Sequence, residues 1–365
     1  MRPPTRALRI ALACVLVTAA AACGGDAHDV RSNELDLYTW TQYVPQSVIH
    51  GFEQKYGLKV KVTYYSSNEE AIAGVEANPG KYDIVIPSDY AVQIMRDRDL
   101  LESIDPTTDL RNWGNVDPSF RSPAFDPGSG LRQRKGKPPE PKYTVPYQWG
   151  TTGIAYNAAQ VGFTPHTWAD LARPEVHGKV ALVDDNRDVL GAALIANGFD
   201  RNDSDQAALD KAASWLQALD PVPVNADHPA QPLIDGQATI AVMYNGDAAQ
   251  AMRQNRNIRY VLPDDGSIWF DNLAIPKDAP HRDAALAFMD YVLDANVGAK
   301  ITRYFGYSTP NSAALDVLSK DDPAIADNSA TNPPRDALLG LLLTTDVGPA
   351  GTQRFLDTWK GVSGE

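Results

Sequence analysis

Cysteine is nearly absent from this 365-residue chain: there are two, Cys14 and Cys23. Cys14 lies in the apolar run 7–22, behind Arg2, Arg6 and Arg9, which is the charge-then-apolar order of an export signal. A run this short and alanine-rich is expected to be removed, not kept as a membrane span. Cys14 leaves with it, so the exported chain has no pair to oxidise and a disulfide framework is excluded. Histidine is also sparse. The six (His28, His50, His166, His177, His228, His281) are scattered with no His-x-x-x-His, so neither a structural zinc nor a zinc-protease site is signalled. A Gly-x-Ser-x-Gly elbow and a glycine loop ending in Lys-Ser/Thr are both missing, which removes a hydrolase nucleophile and a nucleotide cradle. Basic charge is in deficit: the net charge is −13, and −16 without the three leader arginines. Such a surface disfavours nucleic acid and anionic ligands and mildly favours cations. Beyond the leader there is no apolar run long enough to span a bilayer.

The leader ends in Ala20-Ala21-Ala22-Cys23-Gly24. Small residues running into a cysteine resemble the lipobox of bacterial lipoproteins, in which that cysteine becomes the lipidated first residue. The resemblance implies a lipid anchor at Cys23 and an extracytoplasmic location; plain secretion is the alternative, because Ala20 stands where leucine is more usual.

Hydropathy alternates along 35–40, and Pro45 opens a helix through Val48, Ile49 and Phe52 that Gly57 ends. A strand over 58–65 follows, then a helix from Asn68 to the breaker Asn78-Pro79-Gly80. A short apolar strand over 82–87 then delivers Ser88, Asp89 and Tyr90. Strand, helix, strand, helix, strand is the order of a parallel sheet flanked by helices, whose ligands sit beyond the carboxyl ends of the strands. Trp40, Ser88 and Tyr90 fall there. The stretch 128–142 is rich in Pro, Gly, Lys and Arg, and without interleaved aromatics it reads as a solvated loop. Extended segments at 143–147 and 152–157 come next. The alternation then resumes, with strands over 179–183, 239–243 and 258–262 and helices over 189–197, 206–219, 283–293, 296–304 and 353–360. About 340 residues beyond the leader suggest two lobes.

The stretch 267–276, Ser-Ile-Trp-Phe-Asp-Asn-Leu-Ala-Ile-Pro, reads as a strand that carries one carboxylate beside two large rings. Trp269 and Asp271, two residues apart, share a face and can form half of a cation cage: the ring attracts an ammonium and the carboxylate neutralises it. Taken alone, Trp-x-Asp reads more often as a core ring beside a solvated strand end. The pattern repeats, however. Trp40 and Tyr43, Ser88 and Tyr90, Asp185 and Asp188, Tyr244 and Asp247, and Tyr307 also stand at predicted element exits, with no arginine or lysine among them. A cleft lined with rings and carboxylates suits an elongated polycation. Two other readings are weaker: Tyr64-Tyr65 as ferric-ion ligands, which would face opposite sides of a strand, and Asp184 with Asp185 as an acid/base pair for glycoside hydrolysis.

Six pieces of sequence carry a family resemblance: Tyr-Thr-Trp-Thr-Gln-Tyr-Val-Pro (38–45), Tyr-Asp-Ile-Val-Ile-Pro-Ser-Asp-Tyr (82–90), Val-Pro-Tyr-Gln-Trp-Gly (145–150), Asp-Asp-Asn-Arg-Asp-Val (184–189), Trp-Phe-Asp-Asn-Leu-Ala-Ile-Pro (269–276) and Gly-Tyr-Ser-Thr-Pro-Asn (306–311). Over 35–359 the chain resembles the bacterial spermidine/putrescine-binding proteins, the substrate-binding components of polyamine ABC importers. The resemblance implies a hinged, two-lobed α/β fold of the class II periplasmic-binding-protein type, each lobe a mainly parallel sheet flanked by helices. The expected division is signal peptide 1–22, tether 23–33, one lobe from 34–146 and 272–308, and the other from 147–271 and 309–365. The chain would cross between lobes near 145–150, 271–276 and 306–310.

By the same resemblance Trp40, Tyr90, Trp269 and Tyr307 match an aromatic box around the ligand, and Tyr244 stands where spermidine binders carry tryptophan. Asp185 and Asp271 match carboxylates that hold amines, Asp188 replaces a family glutamate, and Ser88 matches a cleft serine. Gln42 departs from an expected acid, Thr344 from an expected glutamine, and Asp247 matches an acid of putrescine-type members. The implied partners are a polyamine, the membrane permease of an ABC importer and, through the lipid, the membrane. A monomer is expected, with no cofactor, metal, catalytic residue or nucleic-acid partner. A binder or sensor of another cationic solute and a secreted carboxylate-dependent hydrolase are the rival readings.

Overall fold

The computed structural model describes residues 28, 30–128, 141–226 and 228–364. The expected export signal, Cys23, most of the expected tether and most of the basic loop 128–142 lie outside these residues. β1 (Glu34–Trp40) pairs in parallel with β2 (Lys59–Tyr65) on one side and β3 (Ile84–Val85) on the other. Parallel neighbours need crossovers, and α1 (Gln46–Tyr56) and α2 (Asn68–Ala77) supply them. Gly57 ends α1 in the left-handed conformation, φ 71°, which a residue without Cβ adopts cheaply. α3 (Asp89–Asp97) follows β3 directly, with Ser88 at its N-cap.

The two extended segments expected at 143–147 and 152–157 are one buried strand, β4 (Thr144–Asn157). Gly150 and three threonines interrupt its apolar pattern, but the strand is sustained by pairing with β8 (Ser267–Ala274), in antiparallel register from Thr144↔Ala274 to Thr152↔Ser267. A register shift between Pro146 and Gln148 accommodates the proline, which has no N–H to give the ladder. β8 also meets β3 at Val85↔Ala274, while the far half of β4 pairs with β6 (Ile240–Tyr244) and β7 (Ile258–Val261); β5 (Val180–Ala181) lies parallel to β6. The order is therefore β2-β1-β3-β8-β4-β6-β5, with β7 beside β4. The sheet is mixed, where the strand–helix alternation predicts mainly parallel pairing. β4 carries the chain out of one lobe and β8 carries it back, so these strands run in opposite directions.

Two apolar cores flank this shared ribbon. Leu35, Leu37, Phe52, Ile84, Leu273 and Phe288 belong to the first; Ile154, Leu190, Leu209, Leu216, Ile240 and Phe355 belong to the second. Truncating a fully buried ring such as Phe52 to alanine is expected to cost about 3–5 kcal/mol. α4 (Asn186–Ala196), α5 (Gln206–Ala218) and α10 (Gly348–Ser363) pack on the second core. α7 (Arg282–Val292) and α8 (Ala295–Phe305) pack on the first, and α6 (Asn245–Gln254) follows β6. α9 (Ser312–Asp321) buries Ala314 and Leu318 against Ala299 of α8, and Asn311 bridges Val116. The chain thus stays beside the first core past residue 309, where the sequence division places the second lobe. Among the described residues no helix is long and apolar enough to cross a membrane.

Candidate functional site

Between the two cores lies a cleft of about 640 Å³ whose walls include all eleven sequence-predicted residues: Trp40, Tyr43, Ser88, Tyr90, Asp185, Asp188, Tyr244, Asp247, Trp269, Asp271 and Tyr307. The crossing strand β8 supplies its centre. Period-two alternation turns Trp269 and Asp271 to the cleft, while Phe270 turns away toward Phe120 and Phe125, 5.9 and 6.0 Å distant between ring centres.

Asp271 is 5% exposed. The Tyr43 hydroxyl donates to its Oδ2 at 2.5 Å and the Ser88 hydroxyl to its Oδ1 at 2.7 Å. Ser88 is itself held by Asn68, which accepts from its N–H at 3.0 Å and donates to its Oγ at 3.1 Å. Burial pushes the Asp271 carboxyl up to about 6 although both hydroxyls pull the other way. Its partners in the protein are neutral.

The rings are placed by glycine. Gly150 stands opposite Trp269 in the β4–β8 register, and a Cβ there would come within 2.3 Å of the indole Cζ2. A Cβ on Gly246 would come within 2.4 Å of the Tyr307 ring. Trp269 consequently meets Tyr244 and Tyr307 edge to face, at 5.9 and 5.3 Å, and Tyr43 meets Tyr307 at 6.0 Å. Trp40 closes the first-lobe side: its indole donates to the Ile86 carbonyl at 3.0 Å and packs edge-on against Tyr65 at 4.8 Å.

The other carboxylates differ in their partners. Asp247, in the first turn of α6, accepts the Tyr307 hydroxyl at 3.2 Å, and burial raises it to about 6. Asp185 caps α4: its Oδ1 accepts the N–H groups of Arg187 and Asp188, each at 2.8 Å, and its Oδ2 accepts the Tyr244 hydroxyl at 2.7 Å. Burial first, then the neighbouring Asp188 charge, raises it to about 7. Asp188 faces the cleft, yet both its oxygens are engaged: Arg201 donates to Oδ1 at 2.6 Å and the Thr152 hydroxyl to Oδ2. Unlike Asp271, Asp188 therefore already has a cation of the protein beside it.

The candidate residues include no arginine or lysine, but the cleft wall does. Arg187 lies on the cleft wall, its guanidinium 5.4 Å from the Tyr90 ring centre and 4.5 Å from that of Phe355. It sits at the start of α4, and its Nη2 donates to Asn202 Oδ1 and to the Thr345 carbonyl, each at 3.0 Å; the sequence signal is its place inside the acidic run 184–188. Asp89 is a second residue not singled out. Buried, it accepts the N–H of Tyr90 at 2.7 Å and of Phe270 at 3.3 Å, and burial raises it to about 8. Gln42, at φ 57°, and Thr344 both line the cleft.

Rings and acids enclosed between two lobes that share crossing strands define a solute-binding protein. Residues 47–330 match the family model of the bacterial extracellular solute-binding proteins, and the chain belongs to that family. It is 34% identical over 331 residues, covering 89% of this chain and 90% of the relative, to the spermidine/putrescine-binding periplasmic protein of Escherichia coli (strain K12). A structure from Listeria monocytogenes assigned to a spermidine/putrescine ABC transporter superposes with a TM-score of 0.80 at 31% identity, covering 90% of this chain and 99% of that one. A lipoprotein of Treponema pallidum superposes at 0.73 with 29% identity, covering 91% and 100%.

Proposed function

We propose that this protein captures a linear polyamine between its lobes outside the cytoplasm and delivers it to the membrane permease of an ABC importer, held at the membrane by lipid on Cys23. The observation that carries the reading is Asp271: a carboxylate enclosed by Tyr43, Trp269 and Tyr307 that meets only hydroxyls. Enclosing a charge without a counter-charge is costly, and a ligand ammonium supplies the missing one. Trp40, Tyr43, Tyr90, Tyr244, Trp269 and Tyr307 flank the methylene chain and ammonium groups, Ser88 orients Asp271, and Asp247 and Asp185 add negative potential along the same wall.

An ammonium over a ring contributes on the order of 0.5–2 kcal/mol, and each charge-assisted hydrogen bond about 1.5–3 kcal/mol. Two held termini are sufficient for micromolar binding, about −8 kcal/mol, after association costs. Closure follows from contacts that exist only when both lobes touch the ligand, and β4 and β8 are the elements that bend. No catalytic step is assigned. The adjacent Asp184 and Asp185 serve different partners, the Trp359 indole at 3.0 Å and the cap of α4. Isothermal titration of the purified exported protein with putrescine and with spermidine tests the reading: saturable binding of either is expected, and no heat with either from a folded protein overturns it.

A further inference from the structure

Asp188 reaches the cleft wall already neutralised from behind by a cation of the protein. Arg201 is 2% exposed; its Nη2 donates to Asp188 Oδ1 at 2.6 Å and to Thr344 Oγ1 at 3.2 Å. Its guanidinium lies across Gly191 of α4, where a Cβ would come within 3.3 Å of Nη2, so the small residue leaves the room in which the arginine lies. Asp188 and Thr344 both line the cleft, and Arg201 joins them.

The other acids at this end accept hydrogen bonds from neutral donors of the protein. Asp185 gives one oxygen to two backbone N–H groups and the other to Tyr244, and the Arg187 guanidinium shares its wall. Glu69 accepts the Tyr90 hydroxyl at 3.0 Å, Asp184 accepts the Trp359 indole, and Asp89 is turned to the backbone of Tyr90 and Phe270. Two carboxylates stand against the Tyr43–Tyr307–Trp269 rings: Asp271, with two hydroxyl donors, and Asp247, with the Tyr307 hydroxyl and its own backbone N–H.

We propose that Arg201 is a resident cation that takes, on Asp188, the place of a ligand ammonium, so that the cleft is a two-ammonium site selecting linear α,ω-diamines over triamines. The inference rests on the polyamine reading and deepens it. A triamine brings a third positive charge to an end of the cleft where Asp188 is already matched by Arg201 and the Arg187 guanidinium shares the wall, so that charge gains less there.

The test is calorimetric titration of putrescine and spermidine into wild type, Arg201→Met and Arg201→Lys, each shown folded by circular dichroism. Wild type is expected to bind putrescine at least about tenfold tighter than spermidine, and Arg201→Met to tighten spermidine about tenfold while moving putrescine less than about threefold. Arg201→Lys, which keeps the charge, is expected to keep the wild-type preference. Wild type binding spermidine as tightly as putrescine overturns the inference and leaves the polyamine reading standing; so does an Arg201→Met protein with an unchanged ratio. Heat from neither ligand in wild type overturns the polyamine reading itself. Should Arg201→Met not fold, the wild-type ratio alone decides.

Discussion

At one end of the cleft the carboxylate of Asp271 meets two hydroxyls, at 2.5 and 2.7 Å; at the other, that of Asp188 meets a guanidinium at 2.6 Å. Both acids are buried and both face the same cavity. The difference is where the counter-charge comes from. A carboxylate paired within the fold is stable whether or not ligand is present, and it offers a ligand little. One propped by neutral donors keeps its shape but not its electrostatic balance, and that imbalance is what a cation relieves on entry.

The sharpest way to break this comparison is to neutralise each acid in turn. Asp271→Asn is expected to weaken putrescine binding by about 10²-fold to several 10³-fold, the equivalent of the roughly 3–5 kcal/mol for an ammonium left buried without its partner. Asp188→Asn is expected to change putrescine affinity less than about threefold, because it removes no ligand contact, while lowering thermal stability by leaving Arg201 unpaired. Calorimetry and thermal unfolding on the same two proteins read both effects. Equal losses of affinity would mean that the two ends are not distinct.

A steric change sharpens the same contrast. Gly150→Ala puts a methyl within 2.3 Å of both Trp269 Cζ2 and Asn245 Oδ1. Overpacking of this kind costs about 1–3 kcal/mol, and because the indole yields, putrescine affinity is expected to fall about tenfold. Gly114→Ala, where a Cβ meets nothing within 4 Å, is the control and is expected to bind as wild type does.

How far the two ends were legible in the sequence follows the same line. Trp269 and Asp271 are two apart on a strand, and period two alone puts them on one face. Ser88, Tyr90, Tyr244 and Asp185 follow strands, and the topology of an α/β sheet brings such exits together. The partner of Asp188 is not legible, because Arg201 comes after the end of α4 and its side chain lies back across Gly191 only once the chain has turned at Gly198. Arg187 is visible as a residue but not as a wall, since its guanidinium is held by Asn202 and by the Thr345 carbonyl, far away in the chain. The local pattern shows β4 as two segments on either side of Gly150, whose missing side chain is the seat of Trp269. The mixed sheet and the packing of α9 on α8 depend on which half of a long strand meets which lobe, and no local pattern encodes that.

Titration tests whether Asp271 and Asp247 await a cation. Asp271 and Asp247 rise from the ordinary 3.8 to about 6, in both cases chiefly because burial penalises the charged form. The ligand-free folded protein therefore holds protons that the unfolded chain has released, so these groups lower stability as pH rises from about 4 through about 6. A bound diamine removes that penalty. The gain in melting temperature from a fixed excess of putrescine is thus expected to be larger near pH 8 than near pH 5, by a few degrees. A gain independent of pH, or larger in acid, would count against Asp271 and Asp247 as the ammonium partners.

The smallest effect expected distinguishes two tyrosine hydroxyls in like positions. Tyr307 donates to Asp247 at 3.2 Å and Tyr244 to Asp185 at 2.7 Å. Asp185 keeps two backbone N–H donors without Tyr244, so Tyr244→Phe is expected to leave putrescine binding within about twofold of wild type. Asp247 has Tyr307 as its side-chain partner, and that bond holds its carboxyl below where burial alone would put it. Tyr307→Phe keeps the ring over the ligand and removes that support, so the expected loss is about threefold at neutral pH and greater in mild acid, where more of Asp247 is protonated. If the shorter of the two bonds proved the more important for binding, hydrogen-bond length and not the supply of counter-charge would be what separates the two ends of the cleft.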